Sequence, residues 1–388
     1  MTAIKGICLY LSLFLVCLLI IIKKIEFSFR TPLLIPFCLF ICWVLYGLFF
    51  ALDKGNSIHD FHAHLLRYMA IYFILINIYN SKKRFVALSW TIIASAVTYS
   101  IVGISYYYII LGHNWTERYS YAGTVEDFIK GWLGYEVAGN SLCVLMILSI
   151  LLTLNFFKKE TFRQNLPLVF CLIPQFAFVF LVQSRAAYIA LIFSLIVLLW
   201  RSQKIQITVL ILLIAFVAMS SVKDRIAMDS FKQDARVKML FTTLEVVKDY
   251  PVIGIGFGNE TYGNTLDLEM YNNRVPQEYR QMKGYIARAP HNILLNILIR
   301  TGFLGLALFL SIIFVFFWMC CSCARNVKDD FVRKWGLCMC SAVISFLVIG
   351  MFEQMFHHFT ELILYTILAM GTIVWRIHRE RLGNQHGY

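Results

Sequence analysis

Apolar runs separated by short polar interruptions recur along the whole chain, at roughly 7–22, 33–51, 66–79, 86–111, 137–155, 166–182, 186–200, 206–222, 303–322, 335–352 and 359–375. A bilayer core of about 30 Å is crossed by about 20 apolar helical residues. The pattern therefore predicts an all-α integral membrane protein of about 11 transmembrane helices, 12 at most. The sixth and seventh meet at Gln183-Ser184-Arg185 with almost no loop between them. The first run has only Lys5 ahead of it and no small-residue cleavage pattern behind it, so it reads as a retained span and not a removed signal peptide.

Two polar stretches interrupt the series. Residues 112–135 form a medium loop of mixed charge, and Lys223 to Ala289 is the one stretch long enough for a small subdomain. Within it Val237, Leu240, Phe241, Leu244 and Val247 recur at helical spacing before Pro251, which predicts an amphipathic helix lying on the membrane surface. The chain divides accordingly into about eight membrane helices over 1–222, a loop subdomain over 223–302 with the amphipathic helix and a His-bearing helix, and about three membrane helices with a short tail over 303–388.

Charge then gives the series a direction. Lys23, Lys24, Arg30, Lys82, Lys83, Arg84, Lys158, Lys159, Arg163, Arg201, Lys204, Arg325, Lys328, Arg333, Lys334, Arg376, Arg379 and Arg381 fall in alternate loops, whereas the short segments on the other side hold only Lys5, Lys54, Arg118, Lys130 and Arg185. The positive-inside rule puts the first set in the cytoplasm, the N-terminus and the 223–289 loop outside, and the C-terminus inside. The cytoplasmic loops contain only Glu26, Glu160, Asp329, Asp330 and Glu380, so the net charge of +13 resides on that side. The pI near 9.2 thus reports topology and contact with anionic lipids, not nucleic-acid binding. With 60% hydrophobic residues and a mean hydropathy of +0.70, the chain is excluded from the ordinary soluble globules.

No cytoplasmic loop exceeds about a dozen residues, far below the size of an independent domain. Chemistry, if any, belongs in the membrane or outside it, where a lipid-linked donor is the natural substrate. Most cysteines (Cys8, Cys17, Cys38, Cys42, Cys143, Cys171) lie inside spans, where a thiol behaves as a small hydrophobe. Cys320, Cys321, Cys323, Cys338 and Cys340 gather at the cytoplasmic edge in a spacing that matches no zinc pattern.

Four places carry candidate chemistry. Arg185 stands where one span ends and the next begins, beside the small Ser184, Ala186 and Ala187; a charge at such an edge is costly unless paired, and snorkelling to lipid headgroups is its bland alternative. Arg236 leads the amphipathic pattern and shares a stripe with Leu240, Thr243 and Val247; its guanidinium suits phosphate oxygens, or it is a surface charge beside Asp234. Pro251-Val252-Ile253-Gly254-Ile255-Gly256-Phe257-Gly258-Asn259 lacks the following GK[ST] and the βαβ frame of a phosphate loop, so tight turns are the better reading. Pro290 is placed to start a helix with His291 in its first turn, where the dipole favours a neutral imidazole able to accept a proton. His357 and His358 with Glu353, and His59, His62 and His64 on the first outer loop, lack zinc spacing.

These segments resemble, in order and spacing, the bacterial O-antigen ligases, a family grouped with O-antigen polymerases and protein O-oligosaccharyltransferases. The likeness rests on Ser184-Arg185-Ala186-Ala187, Ala235-Arg236, the 251–259 stretch, Pro290-His291-Asn292 and Gly302-Phe303-Leu304-Gly305-Leu306; the first 180 residues share only their serial membrane helices. The resemblance implies a GT-C-like glycosyltransferase of the bacterial inner membrane, working at the periplasmic face without metal or nucleotide cofactor. It implies that Arg185 and Arg236 hold the diphosphate of an undecaprenyl-linked glycan donor, that His291 is the general base, and that lipid A-core is the acceptor. Arg300 departs from the acidic residue that many relatives carry before the equivalent of Thr301-Gly302. The rival readings are an O-antigen polymerase, with a second lipid-linked glycan as acceptor, and a glycolipid transporter; the latter fits less well because the charges lie at helix ends and no related halves are visible.

Overall fold

The structure is a computed structural model that describes residues 27–119, 139–158, 162–199, 235–282, 286–325, 329–356 and 358–385, with scattered positions between 11 and 24. The described residues are helical, without strands: α1 (Leu34–Leu48), α2 (Lys54–Ile78), α3 (Lys82–Ile110), α4 (Gly139–Asn155), α5 (Phe162–Val182), α6 (Arg185–Leu198), α7 (Ala235–Asp249), α8 (Thr261–Asn264), α9 (Leu268–Arg274), α10 (Ile293–Ala324), α11 (Asp330–Gly350) and α12 (His358–Gln385).

Side chains that accept the first free amides start most of the long helices. Asp53 caps α2, Ser81 caps α3, Ser184 caps α6, Asn292 caps α10 and Asp329 caps α11; each such cap stabilises its helix by about 1 kcal/mol. Among the described residues, six helices are long and apolar enough to cross a membrane: Lys54–Ile78, Lys82–Ile110, Arg163–Val182, Ile293–Ala324, Asp330–Gly350 and Phe359–Glu380. Leu34–Leu48, Ser141–Asn155 and Arg185–Leu198 are shorter apolar helices. The expected span at 206–222 lies outside the described residues, and that at 7–22 lies largely outside them.

Three expectations need correction. His59, His62 and His64 are not on a loop: α2 starts at Lys54, capped by Asp53, and carries them through a π-helical turn at Phe61–Leu66. The polar face of this segment breaks the apolar run but not the helix. The helix expected at 303–322 begins at Ile293, with a break in the middle where Gly302 adopts φ +70°. Its cap is Asn292, whose side chain accepts from Leu294 and Leu295 amides at 2.9 and 3.1 Å, so His291 precedes the helix and is not in its first turn.

The break in α10 explains the glycine-rich stretch. Around it, Ile299 and Arg300 carbonyls accept from the Ile255 and Gly256 amides at 2.8 and 3.3 Å, Thr301 carbonyl accepts from the Trp43 indole at 2.8 Å, and Phe303 amide donates to Pro251 carbonyl at 2.8 Å. A Cβ on Gly302 would stand 1.9 Å from Val252 O, so only glycine permits the approach. Two further amides of the stretch are taken as well: Gly258 donates to Ser57 Oγ at 3.1 Å and Asn259 to Asp60 Oδ2 at 2.6 Å. The loop is a clamp on a kinked helix, and these donors are not free for a phosphate.

Contacts define two ends of the bundle. At one, Asn292 Nδ2 donates to Met351 O at 3.1 Å and Ile293 packs against Gly350. At the other, Lys82 pairs with Asp329 at 3.1 Å, and Arg376 donates to the carbonyls of Ser28, Arg30 and Ile76. Between them, α11 is the central helix, packed on α4, α6, α10 and α12. Large side chains such as Phe316, Phe346 and Phe178 are completely buried in this core.

A satellite core sits against α10: Val246 and Val247 of α7, Ile255, Tyr262, Leu268 and Tyr271 close over Leu298 and Ile299. The helix α7 is therefore real, but its inner face is Thr242, Thr243, Val246 and Val247, and it packs on protein. Leu240, on the expected apolar face, is 36% exposed.

Candidate active site

His291 stands at the mouth of α10, held by the Asn292 cap behind it. Its Nδ1 lies 3.4 Å from Glu353 Oε1, with the imidazole about 39% and the carboxylate about 13% exposed. A half-open ring with a carboxylate on one nitrogen is the arrangement of a general base: the acid favours the tautomer with hydrogen on Nδ1 and leaves Nε2 to accept a proton. Glu353 follows the end of α11, and that segment is itself fixed. Gln354 Nε2 donates to Asn259 Oδ1 at 3.1 Å, and Asn259 Nδ2 donates to Phe356 O at 2.9 Å.

Arg185 is exposed as the first residue of α6, after the buried cap Ser184. The turn ahead of it is sharp, with Gln183 at φ +49°. Ala186 and Ala187 are buried, and α6 runs against α11. Since α6 begins, and α11 ends, at the end of the bundle that carries His291, Arg185, His291 and Glu353 share that end. Arg236 is exposed near the start of α7. The other end of α7 is anchored by Asp249, which accepts from Tyr271 Oη at 3.0 Å and Arg274 Nη1 at 2.8 Å. Those two donors, Arg274 first, hold the Asp249 carboxyl below its ordinary value.

Beneath the His291 end lies a cluster that the apolar pattern conceals. Asp60, Arg300 and Glu361 are 2–3% exposed, and His64 Nδ1 lies 2.5 Å from Glu361 Oε2 while its Nε2 is 3.8 Å from Asp60 Oδ1. Arg300 donates through Nε and Nη2 to Phe257 O, the former at 2.7 Å, and lies over the Phe257 and Phe356 rings. It also lies in the field of Asp60 and Glu361, so the cation at 300 is matched by acids on α2 and α12, not by a neighbour in sequence. A cavity of about 30 Å³, room for a water or two, opens beside His64 and Glu361 among Phe37, Phe40 and Tyr365. The i, i+4 pair Asp60 and His64 was the one sequence signal for this cluster.

The remaining metal candidates give no such convergence. His357 and the His358 side chain lie outside the described residues, and Cys321 and Cys340 meet as thiols with Sγ atoms 3.9 Å apart. Among the described residues, no three His, Cys, Asp or Glu side chains are grouped to hold a metal ion.

A comparison with curated proteins finds no match. Residues 168–310 match the family model described as O-antigen ligase. The matched segment contains Arg185, Arg236, the glycine-rich clamp, His291 and the break in α10, whereas Glu353 lies beyond it. Over residues 168–310 the chain is therefore similar to a family of ligase- or polymerase-type membrane glycosyltransferases.

Proposed function

We propose that the protein is an inverting glycosyltransferase that ligates an undecaprenyl-diphosphate-linked O-antigen glycan to a sugar hydroxyl of lipid A-core in lipopolysaccharide biosynthesis. The observation that carries the reading is the His291–Glu353 pair at the same end of a membrane bundle as Arg185. Acceptor oxygen attacks the anomeric carbon of the donor's first sugar, and the bond from that carbon to the diphosphate oxygen breaks with its electrons leaving on undecaprenyl diphosphate. The hydroxyl proton passes to His291 Nε2, and Glu353 offsets the imidazolium that forms. Arg185 and Arg236 stabilise the charge growing on the diphosphate, a contribution of about 2.7–4 kcal/mol per lost donor in other enzymes. Diphosphate is already a good leaving group, so positioning and charge supply the rest.

The GT-C-like placement in the inner membrane, with N-terminus and site on the periplasmic side and C-terminus in the cytoplasm, is part of the same proposal. It is supported by Lys82, Arg30, Arg333, Lys334 and Arg376, which gather at the end opposite His291.

The test uses the full chain in detergent with undecaprenyl-diphosphate glycan and lipid A-core, and looks for a glycolipid of altered mobility. The expected product is absent with His291→Ala. Extension of one donor by another would instead make the protein a polymerase, and no transfer by a folded protein would favour a transporter.

A further inference from the structure

Two ring stacks stand at the end of α3. The π-helical turn Ser105–Ile110 presents Tyr107 and Tyr108 in succession. Trp115 lies flat on Tyr108, centroids 4.7 Å apart and planes 9° from parallel, and His113 lies on Tyr107 at 4.1 Å and 13°. Both phenols are pinned, because Tyr108 Oη donates to Glu117 O at 2.8 Å and Tyr107 Oη to Arg118 O at 3.2 Å. The outer stack is nevertheless open: Trp115 is 54% exposed. At its rim the Glu117 carboxylate, half exposed, lies 3.0 Å from His113 Nδ1.

This loop is fastened to the turn that carries Arg185. Tyr119 amide donates to Leu181 O at 2.7 Å, Arg118 Nε to Val182 O at 2.9 Å, and Gln183 Nε2 to Thr116 O at 3.3 Å. Three bonds across one short turn fix the position of the ring stacks relative to the arginine two residues beyond Gln183.

The combination has the chemistry of a pyranose site. The face of an aromatic ring is electronegative, and the axial C–H bonds of a pyranose are weakly positive, so a flat, stiffened indole takes the apolar face of a sugar. The carboxylate and imidazole at the rim are acceptor and donor for its hydroxyls. A lipid anchor is the competing use of an exposed tryptophan. However, the open apolar surface of α3 ends at Ile109 and Ile110, 67% and 69% exposed, and Trp115 lies beyond them in the polar run Gly112-His113-Asn114-Trp115-Thr116-Glu117-Arg118. We propose that the Trp115 loop is a sugar-binding platform for the glycan of the lipid-linked donor, the part next to the diphosphate; this rests on the reading of Arg185 as a diphosphate ligand.

Binding separates the two ideas. The full chain in detergent is titrated with undecaprenyl diphosphate and with undecaprenyl diphosphate carrying one N-acetylglucosamine. Arg185→Ala weakens both probes. In the unsubstituted protein the sugar tightens binding, and Trp115→Ala removes that gain, about fivefold to tenfold, while leaving the bare carrier unaffected. Trp115→Phe keeps most of the gain and Trp115→Leu loses it. Retention of the bare carrier shows that a variant is folded. A sugar gain that survives Trp115→Ala, is absent from the unsubstituted protein, or is restored by Leu overturns the platform with the donor reading intact. Failure to bind either probe overturns the donor reading itself.

Discussion

At the scale of single residues, the site turns on how one imidazole is oriented. Glu353 touches no substrate in the proposed reaction; it acts through His291, on the nitrogen 3.4 Å away. Glu353→Gln keeps the shape but permits the wrong tautomer, because an amide can donate as well as accept. Expected is a kcat about 10- to 100-fold lower with donor KM unchanged, less than the about 100- to 10,000-fold that a general base contributes. Full-chain kinetics would check this; a donor KM that worsens together with kcat would mean that Glu353 merely supports the fold. Arg185 and His291 could be singled out as candidates because each stands at the edge of an apolar run, and Arg236 because it leads the amphipathic pattern. Glu353 was visible only as a neighbour of His357 and His358, since its partner lies far off in sequence, just ahead of α10.

Helices and loops set the next scale, where one backbone conformation decides how α10 meets the 251–259 clamp. Gly302→Ala forces a Cβ against Val252 O at φ +70° and should destabilise the protein by at least about 2 kcal/mol. Gly112→Ala is the control, because Gly112 has φ +72° with nothing within 4 Å. Thermal unfolding in detergent should therefore show a clearly larger fall in Tm for Gly302→Ala, and equal falls would remove the clamp from the explanation. The α7–α9 joint has its own pH response. Asp249 titrates below its ordinary 3.8 because Arg274 and Tyr271 donate to the ionised form. A depressed carboxyl stabilises the folded state above its ordinary value, and that contribution is lost as pH falls through the lower folded value. Amide exchange in α7 and α9 should accelerate below pH 3.8 in the natural chain, and Asp249→Asn should be flat over that window. An identical slope in both would assign the joint to apolar packing alone. Apolar periodicity located most helices, but it misplaced two starts for one reason. At α2 and α10 the first turns are polar or preceded by proline, and it is the Asp53 and Asn292 caps that decide the boundary.

For the whole molecule, the sequence carried the all-α membrane class in its run lengths, whereas the meeting of Asp60 and His64 with Arg300 and Glu361 depends on three helices and has no local signature beyond the i, i+4 pair Asp60 and His64. That pairing bears on how the chain is made. Helices enter the bilayer in order of synthesis, so α2 and its acid are in place before α10 brings Arg300, and Glu361 arrives only with α12. Until then the nascent bundle holds a cation and a histidine short of one carboxylate, and leaving one partner of a buried charge cluster exposed to hydrocarbon costs several kcal/mol. The last helix thus serves as a completion signal: a chain ended after Gly350 should be cleared rapidly by membrane proteases in a pulse-chase, and co-expression of α12 as a separate segment should restore its lifetime. Equal lifetimes for the cut and full chains would mean that the bundle is finished before its final carboxylate appears. Rescue of the cut chain by α12, but not by α12 carrying Glu361→Gln, would mean that quality control at the membrane reads the balance of buried charge and not the number of helices inserted.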